Sequence, residues 1–437
     1  MLPLLALLLG LSVLSGLPQE IKGSCSISTF SPAPLVITTF GSKSFVNAKA
    51  SVYEREDGDD IELHCGGGFS YYDRYYGKTR TTSKTKVTLR CYSSDHFYNV
   101  DESQNQHVQN IHCLNRVNQM FESRIKLPNC EKDMTLVLGY DFGEIGFLKN
   151  AALCYDILGA KLKYFGYTTF PSKNRIVETT QVGQLNQLGL DINVTYNKNL
   201  IRSISQSAID SFMSTEKKVA SLFVSNAFQY ASLAQDDQQL DGYEDMLGTV
   251  WLRVLRSGNW AHWLSAMRVA TDLGGHFDVR MGVSGTLQLP VAAVGPCNAS
   301  SLMIIELSDG TSLPVPAHIW AHVRALESTG GAGDEFVLIG HNSPFFRSDN
   351  SSALCSSMCD QVPWLKGTLF ASLHEFPAYG LVQCCRVEDV AQKLDNFPGA
   401  YVDVAASTTT VAPVFGLGYK PSGKFPQVLT DSNDEFE

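Results

Sequence analysis

The sequence predicts an α+β protein: a twisted antiparallel sheet with one long helix, preceded by a small disulfide-rich β module. Three features of the chain point there. Short apolar runs separated by Gly, Pro, Asn and Asp recur through the last third of the 437 residues. A single stretch, Gly242 to Ala270, carries helical periodicity, and cysteines crowd the first 130 residues.

In chain order, residues 1–20 read as a secretory signal peptide: Leu2 to Leu17 is apolar directly after Met1 and gives way to Pro18-Gln19-Glu20, although no basic residue leads it. Residues 24–130 form the cysteine-rich module, with strand-like runs such as Lys86-Val87-Thr88-Leu89-Arg90-Cys91. Residues 131–395 form the main domain, opened by the strand candidate Thr135-Leu136-Val137-Leu138-Gly139-Tyr140. Its helix places Trp260, Trp263, Leu264 and Met267 at i, i+3, i+4 and i+7, which gives one apolar face. Phe277 to Leu289, Leu302 to Leu307, Leu313 to Val323 and Glu335 to Ile339 follow as strands. Residues 396–437, with Ser407-Thr408-Thr409-Thr410 and a closing acidic run from Asp431, make a flexible tail. Beyond the N-terminus there is no uncharged apolar run of the roughly 18 residues that a membrane helix needs, so no membrane partner is expected.

A hydrophobic content of 44% supports a large buried core. The formal charge of −10 does not favour a polyanionic partner, since nucleic-acid binding scales with the phosphates neutralised. One local segment runs the other way. Arg74, Lys78, Arg80, Lys84, Lys86 and Arg90 follow one another without an acid between, beside Tyr71, Tyr72, Tyr75 and Tyr76. Cations beside aromatic rings can hold phosphates and stack bases. The same pattern also fits a solvated strand pair whose tyrosines pack on the core.

Eleven cysteines behind an export signal imply disulfides. Cys355, Cys359 and the adjacent Cys384 and Cys385 read as two bridges, because neighbouring cysteines make poor tetrahedral zinc ligands. The sequons at Asn193, Asn298 and Asn350 fit exposed loops of an exported glycoprotein. His318 and His322 stand four apart, but Pro314 and Pro316 make this a strand start, in which the two rings lie too far apart to share a zinc ion.

Ser257-Gly258-Asn259-Trp260, Leu313-Pro314-Val315-Pro316-Ala317-His318-Ile319-Trp320, Glu335 to Gly340 and the four late cysteines, in this order, resemble the secreted arthropod DNA/RNA non-specific endonucleases, a group that includes crustacean duplex-preferring nucleases. That resemblance implies a ββα-metal fold, in which a histidine takes a proton from water and a magnesium held by an asparagine stabilises the leaving oxygen. It also implies that Cys25, Cys65, Cys91, Cys113, Cys130 and Cys154 pair among themselves. Ten cysteines then pair, and Cys297 is left free or as the link of a dimer.

The site positions depart from the family pattern. The histidine's place falls near Asn226, and no histidine lies between His112 and His262. The metal ligand's place falls near Met246, with Asp245 or Glu244 as substitutes if the register slips. The helix glutamate is Leu264, a strand lysine is Ala321, and an arginine that meets phosphate is kept as Arg268. The expectation is therefore a nuclease scaffold without its catalytic base and metal ligand, with no cofactor, and with DNA or RNA as partner through Arg268 and the Arg74 to Arg90 segment. Two other readings stand beside it: an active magnesium-dependent endonuclease with a diverged site, served for example by His262, and a structural or immune extracellular glycoprotein.

Overall fold

A computed structural model of the chain describes residues 24–40, 43–47, 52–92, 96–100, 107–115, 117–169, 176–178, 183–196, 204–235, 240, 242–290, 301–327, 330–331, 333–346 and 354–401. The signal-peptide segment, nearly all of the tail, Cys297, Asn298 and Asn350 lie outside the described residues. Residues Met1–Ala400 group as one compact unit and Tyr401–Glu437 as another. The first unit is mostly antiparallel sheet, with few helices.

β-branched and aromatic residues alternating with polar ones build a first nine-stranded sheet. It includes β1 (Asp60–His64), β2 (Phe69–Asp73), β3 (Lys78–Thr82) and β4 (Lys86–Tyr92). In β4 the odd positions Val87, Leu89 and Cys91 turn inward, at 1% exposure or less, and join a core with Ile61, Leu63 and Phe97. Cys25–Cys91 and Cys65–Cys113 fasten this core.

The second sheet also has nine strands among the described residues. After the edge strand Val194–Thr195 it runs β5 (Gln119–Ser123), β6 (Met134–Asp141), β7 (Phe147–Asp156), β8 (Lys161–Thr168), then β11 (Phe277–Ser284), β12 (His318–Ala325), β13 (Glu335–His341) and, at the other edge, β14 (Val382–Cys385). Sheet membership does not divide at residue 130: β5 belongs to the second sheet, and the strand Ile176–Glu178 pairs into the first. Cys130–Cys154, Cys355–Cys385 and Cys359–Cys384 complete five disulfides, so all ten cysteines expected to pair do so, including the adjacent two with different partners.

Between β8 and β11 the chain makes the helix α1 (Gln206–Thr215), the hairpin β9 (Phe228–Ser232) and β10 (Gly248–Leu252), and the helix α2 (Ala261–Asp272). The single helix expected over Gly242 to Ala270 is corrected here. Residues 242–247 form turns, Gly248–Leu252 is a strand paired with Phe228–Ser232, and helix begins only at Arg253, passing through a wide π-helical turn at Arg256–Trp260. The apolar spacing of Trp260, Trp263, Leu264 and Met267 is real, but it governs only the second half of the segment. Val250, Trp251 and Leu252 are a continuous apolar run, which a strand buries as readily as a helix does.

The kink has a steric cause. Gly258 sits where a Cβ would meet the Tyr379 carbonyl oxygen, and its ψ of −115° lies outside the helical range. The next residue, Asn259, is fully buried and donates from Nδ2 to the carbonyls of Leu373 and Gly380. Trp251, Trp260 and Trp263 then stack edge to face at 5.3 and 5.2 Å, all 0% exposed. Gly258→Ala should therefore lower stability by about 1–3 kcal/mol in urea denaturation, while Ser265→Ala on the exposed face of α2 stays within about 0.5 kcal/mol. Equal midpoints for the two would contradict this account of the kink.

Candidate functional site

The hairpin β9–β10 and α2 hold the positions that the sequence motifs single out. Asn226 lies in an exposed turn just before β9, where its carbonyl accepts from Arg253 Nε at 2.8 Å. Met246, 2% exposed, and Leu264, 8% exposed, both belong to the main hydrophobic core. Glu244 and Asp245 are exposed on the turn before β10; Glu244 Oε1 accepts from Gly242 N at 2.7 Å. His262 is half-buried on α2, with Nδ1 3.4 Å from Asn259 Oδ1 and its ring 5.8 Å from that of Tyr379. Arg268 is exposed nearly two turns further along the same helix. A buried thioether and a buried isobutyl group are what packing requires at Met246 and Leu264, and neither can hold a hard cation or move a proton.

The basic segment divides into two groups. Arg80 pairs with Asp73 at 2.7 Å, Lys86 with Glu62 at 2.7 Å and Arg90 with Asp60 at 2.6 Å, each across neighbouring strands. Arg74, Lys78 and Lys84 are exposed around the β2–β3 hairpin. At its tip Asp73 Oδ1 accepts from the backbone N–H of Tyr75 and Tyr76, which fixes the turn and leaves Tyr75 71% exposed. Lys78 Nζ and Arg80 Cζ stand 5.7 and 4.6 Å from the Tyr76 ring centre. Tyr71 instead packs into the first core, so both patterns seen in the sequence occur, one on the strand and the other at the hairpin tip.

Sequence reasoning missed a polar face on the second sheet. Cross-strand partners share a face, and the register aligns Ser284, His318 and His341, then Arg280, His322 and Val337, then Asp278, Arg324 and Glu335. The signal was present as period-two alternation in His318-Ile319-Trp320-Ala321-His322-Val323-Arg324. Asp278, fully buried, accepts from Thr168 Oγ1 at 2.8 Å, the Gln184 N–H at 3.1 Å and Arg324 Nη2 at 2.9 Å. Arg280 donates to Gln184 Oε1 and the Gly399 carbonyl, both at 3.0 Å. His322 meets Glu335 Oε1 at 2.8 Å. His318 and His322 lie apart along β12, as a strand demands, and His318 instead faces His341, with ring centres 5.2 Å apart.

Beside that pair opens a cleft of about 1080 Å³ along the end of the sheet, bordered also by Tyr230, Asp245, Met246 and Lys393. Among the described residues no group of three or more His, Cys, Asp or Glu side chains converges to hold a metal. No described helix is long and apolar enough to cross a membrane. Asn193 is exposed immediately before the edge strand Val194–Thr195.

No protein-family model matches the chain, and no curated protein matches it. Among solved structures, the crystal structure of the EndoG/EndoGI complex is similar over 53% of this chain and 82% of that one, at 11% identity and a TM-score of 0.26. A likeness of that degree is too low for a shared fold to be inferred from it.

Burial holds two imidazoles neutral. It lowers His341 to about 3, helped by the neighbouring His318, and His322 to about 4, against the pull of Glu335. An unfolded histidine titrates near 6.5. As pH falls below that value the unfolded chain takes up protons that the folded chain refuses, so stability is full above pH 6.5 and falls progressively toward pH 4. Urea denaturation across that range should show the loss, at up to about 1.4 kcal/mol per pH unit for each histidine. A pH-independent midpoint between 6.5 and 4 would contradict the buried, neutral state.

Proposed function

We propose that the chain is an exported, nuclease-like glycoprotein that binds DNA or RNA and does not cleave it. The carrying observation is that the places where the resembled endonucleases keep a metal ligand and a glutamate hold Met246 and Leu264, both packed in the core, while an exposed turn asparagine stands at the place of the base. Phosphodiester hydrolysis needs a proton acceptor for water and a charge partner for the leaving oxygen. Asn226 supplies no proton acceptor and Met246 no charge partner, while burying Met246 and Leu264 stabilises the hairpin–helix unit by roughly 1.5–3 kcal/mol per side chain. Five disulfides and the exposed Asn193 support export and glycosylation.

The binding surface in this reading is the β2–β3 hairpin, where Tyr75 and Tyr76 offer stacking faces and Arg74, Lys78 and Lys84 offer charge, together with Arg268 on α2. Arg80, Lys86 and Arg90 also neutralise Asp73, Glu62 and Asp60. Gel-shift titration of labelled single-stranded and duplex DNA at rising salt tests this. Affinity should fall steeply with salt, and the triple change Arg74→Gln, Lys78→Gln, Lys84→Gln should flatten the dependence by about two to three units of slope. Retention that is absent even at low salt would favour the structural-glycoprotein reading. The double replacement Asn226→His, Leu264→Glu should not restore nicking of plasmid DNA while Met246 occupies the ligand place.

A further inference from the structure

We propose that His318 and His341 form a binding site for a divalent transition metal of the zinc and copper type at the open end of the second sheet. The two residues are direct cross-strand partners on β12 and β13, their ring planes are at 85°, and both border the cleft. An ion about 2.1 Å from one nitrogen of each ring, at a near-tetrahedral angle, sets imidazole centres about 5 Å apart. The separation here is 5.2 Å.

The proton positions favour a cation. His341 is 1% exposed, and its Nε2 lies 3.0 Å from Gln383 Oε1. An amide oxygen only accepts, so Nε2 carries the hydrogen and Nδ1 the lone pair. Neither that Nδ1 nor Nδ1 of His318 has a hydrogen-bond partner among the described residues. A buried acceptor left without a donor costs about 1–3 kcal/mol, and a bound ion satisfies it.

Stacking on Phe346, at 3.4 Å between ring centres, fixes the His341 ring without blocking a ligand in its plane. Asp395, whose charge acts on His318, already accepts from the Gly285 N–H through Oδ2 at 2.9 Å. The protein therefore supplies two nitrogens, and the cleft leaves the remaining coordination positions to water or to a bound molecule. Neutral imidazole selects zinc and copper over magnesium, which prefers oxygen ligands. The site thus stands independently of the nuclease reading.

Tag-free full-length protein, stripped with a chelator and dialysed, should bind one equivalent of zinc chloride or copper chloride in calorimetric titration. The copper-loaded protein should show hyperfine coupling to two nitrogens in its electron paramagnetic resonance spectrum. His318→Gln should weaken binding about tenfold or more, a loss of about 1.4 kcal/mol, while His276→Gln, at the far end of the sheet beside Glu327, leaves it unchanged. Absence of stoichiometric binding, undiminished binding by folded His318→Gln, or a copper spectrum without paired nitrogens would each overturn the proposal. Should His318→Gln fail to fold, the spectrum of the unaltered protein decides alone.

Discussion

The central strands of the second sheet are buried on both faces, and much of the molecule follows from that constraint. One face of β11, β12 and β13 is purely apolar and receives α2 and the β9–β10 hairpin. The other carries Asp278, Arg280, His322 and His341, each 2% exposed or less. Polar groups withdrawn from water must find partners inside the protein. Asp278 finds three hydrogen-bonded neighbours, Arg280 finds an amide and a carbonyl, and His322 finds a carboxylate. At the end of the row the supply of partners runs out, and His318 and His341 meet each other across the strands beside an open cleft.

The same burial accounts for the apolar packing of the hairpin–helix unit. Asn342, fully buried, accepts from the Leu252 N–H and donates to the carbonyls of Val250 and Pro316, at 2.9 Å each, so β10 is fastened to the end of the second sheet. Asn259 fastens the start of α2 in the same way. With both ends held and three tryptophans stacked between them, the interior has room for Met246 and Leu264 as packing groups. A carboxylate or amide in their place would have to be hydrated or paired within a cluster of apolar side chains.

Much of this was legible in the chain. The family resemblance implied that the six early cysteines pair among themselves, and the adjacency of Cys384 and Cys385 correctly implied two separate partners. Apolar runs between turn residues gave strands over Phe277 to Leu289, Leu313 to Val323 and Glu335 to Ile339, and the structure forms the main strands there with shifted ends, at Phe277–Ser284, His318–Ala325 and Glu335–His341. The stretch Gly242 to Leu252 was misleading because Val250-Trp251-Leu252 suits either period and its pairing partner, Phe228–Ser232, lies 20 residues away across a turn-rich segment. The His318–His341 pair was not legible at all. Its members stand 23 positions apart and meet only through strand register, which no local pattern encodes.

The central proposal is that the places where the resembled endonucleases keep their base and metal ligand hold no proton acceptor for water and no ligand for a hard cation. The most direct measurement is digestion of supercoiled plasmid by tag-free protein at catalytic and at stoichiometric concentration, with magnesium present and then with EDTA. The account predicts intact plasmid under every condition, with retarded migration at low salt. Nicking that turns over, requires magnesium and stops on chelation would contradict it.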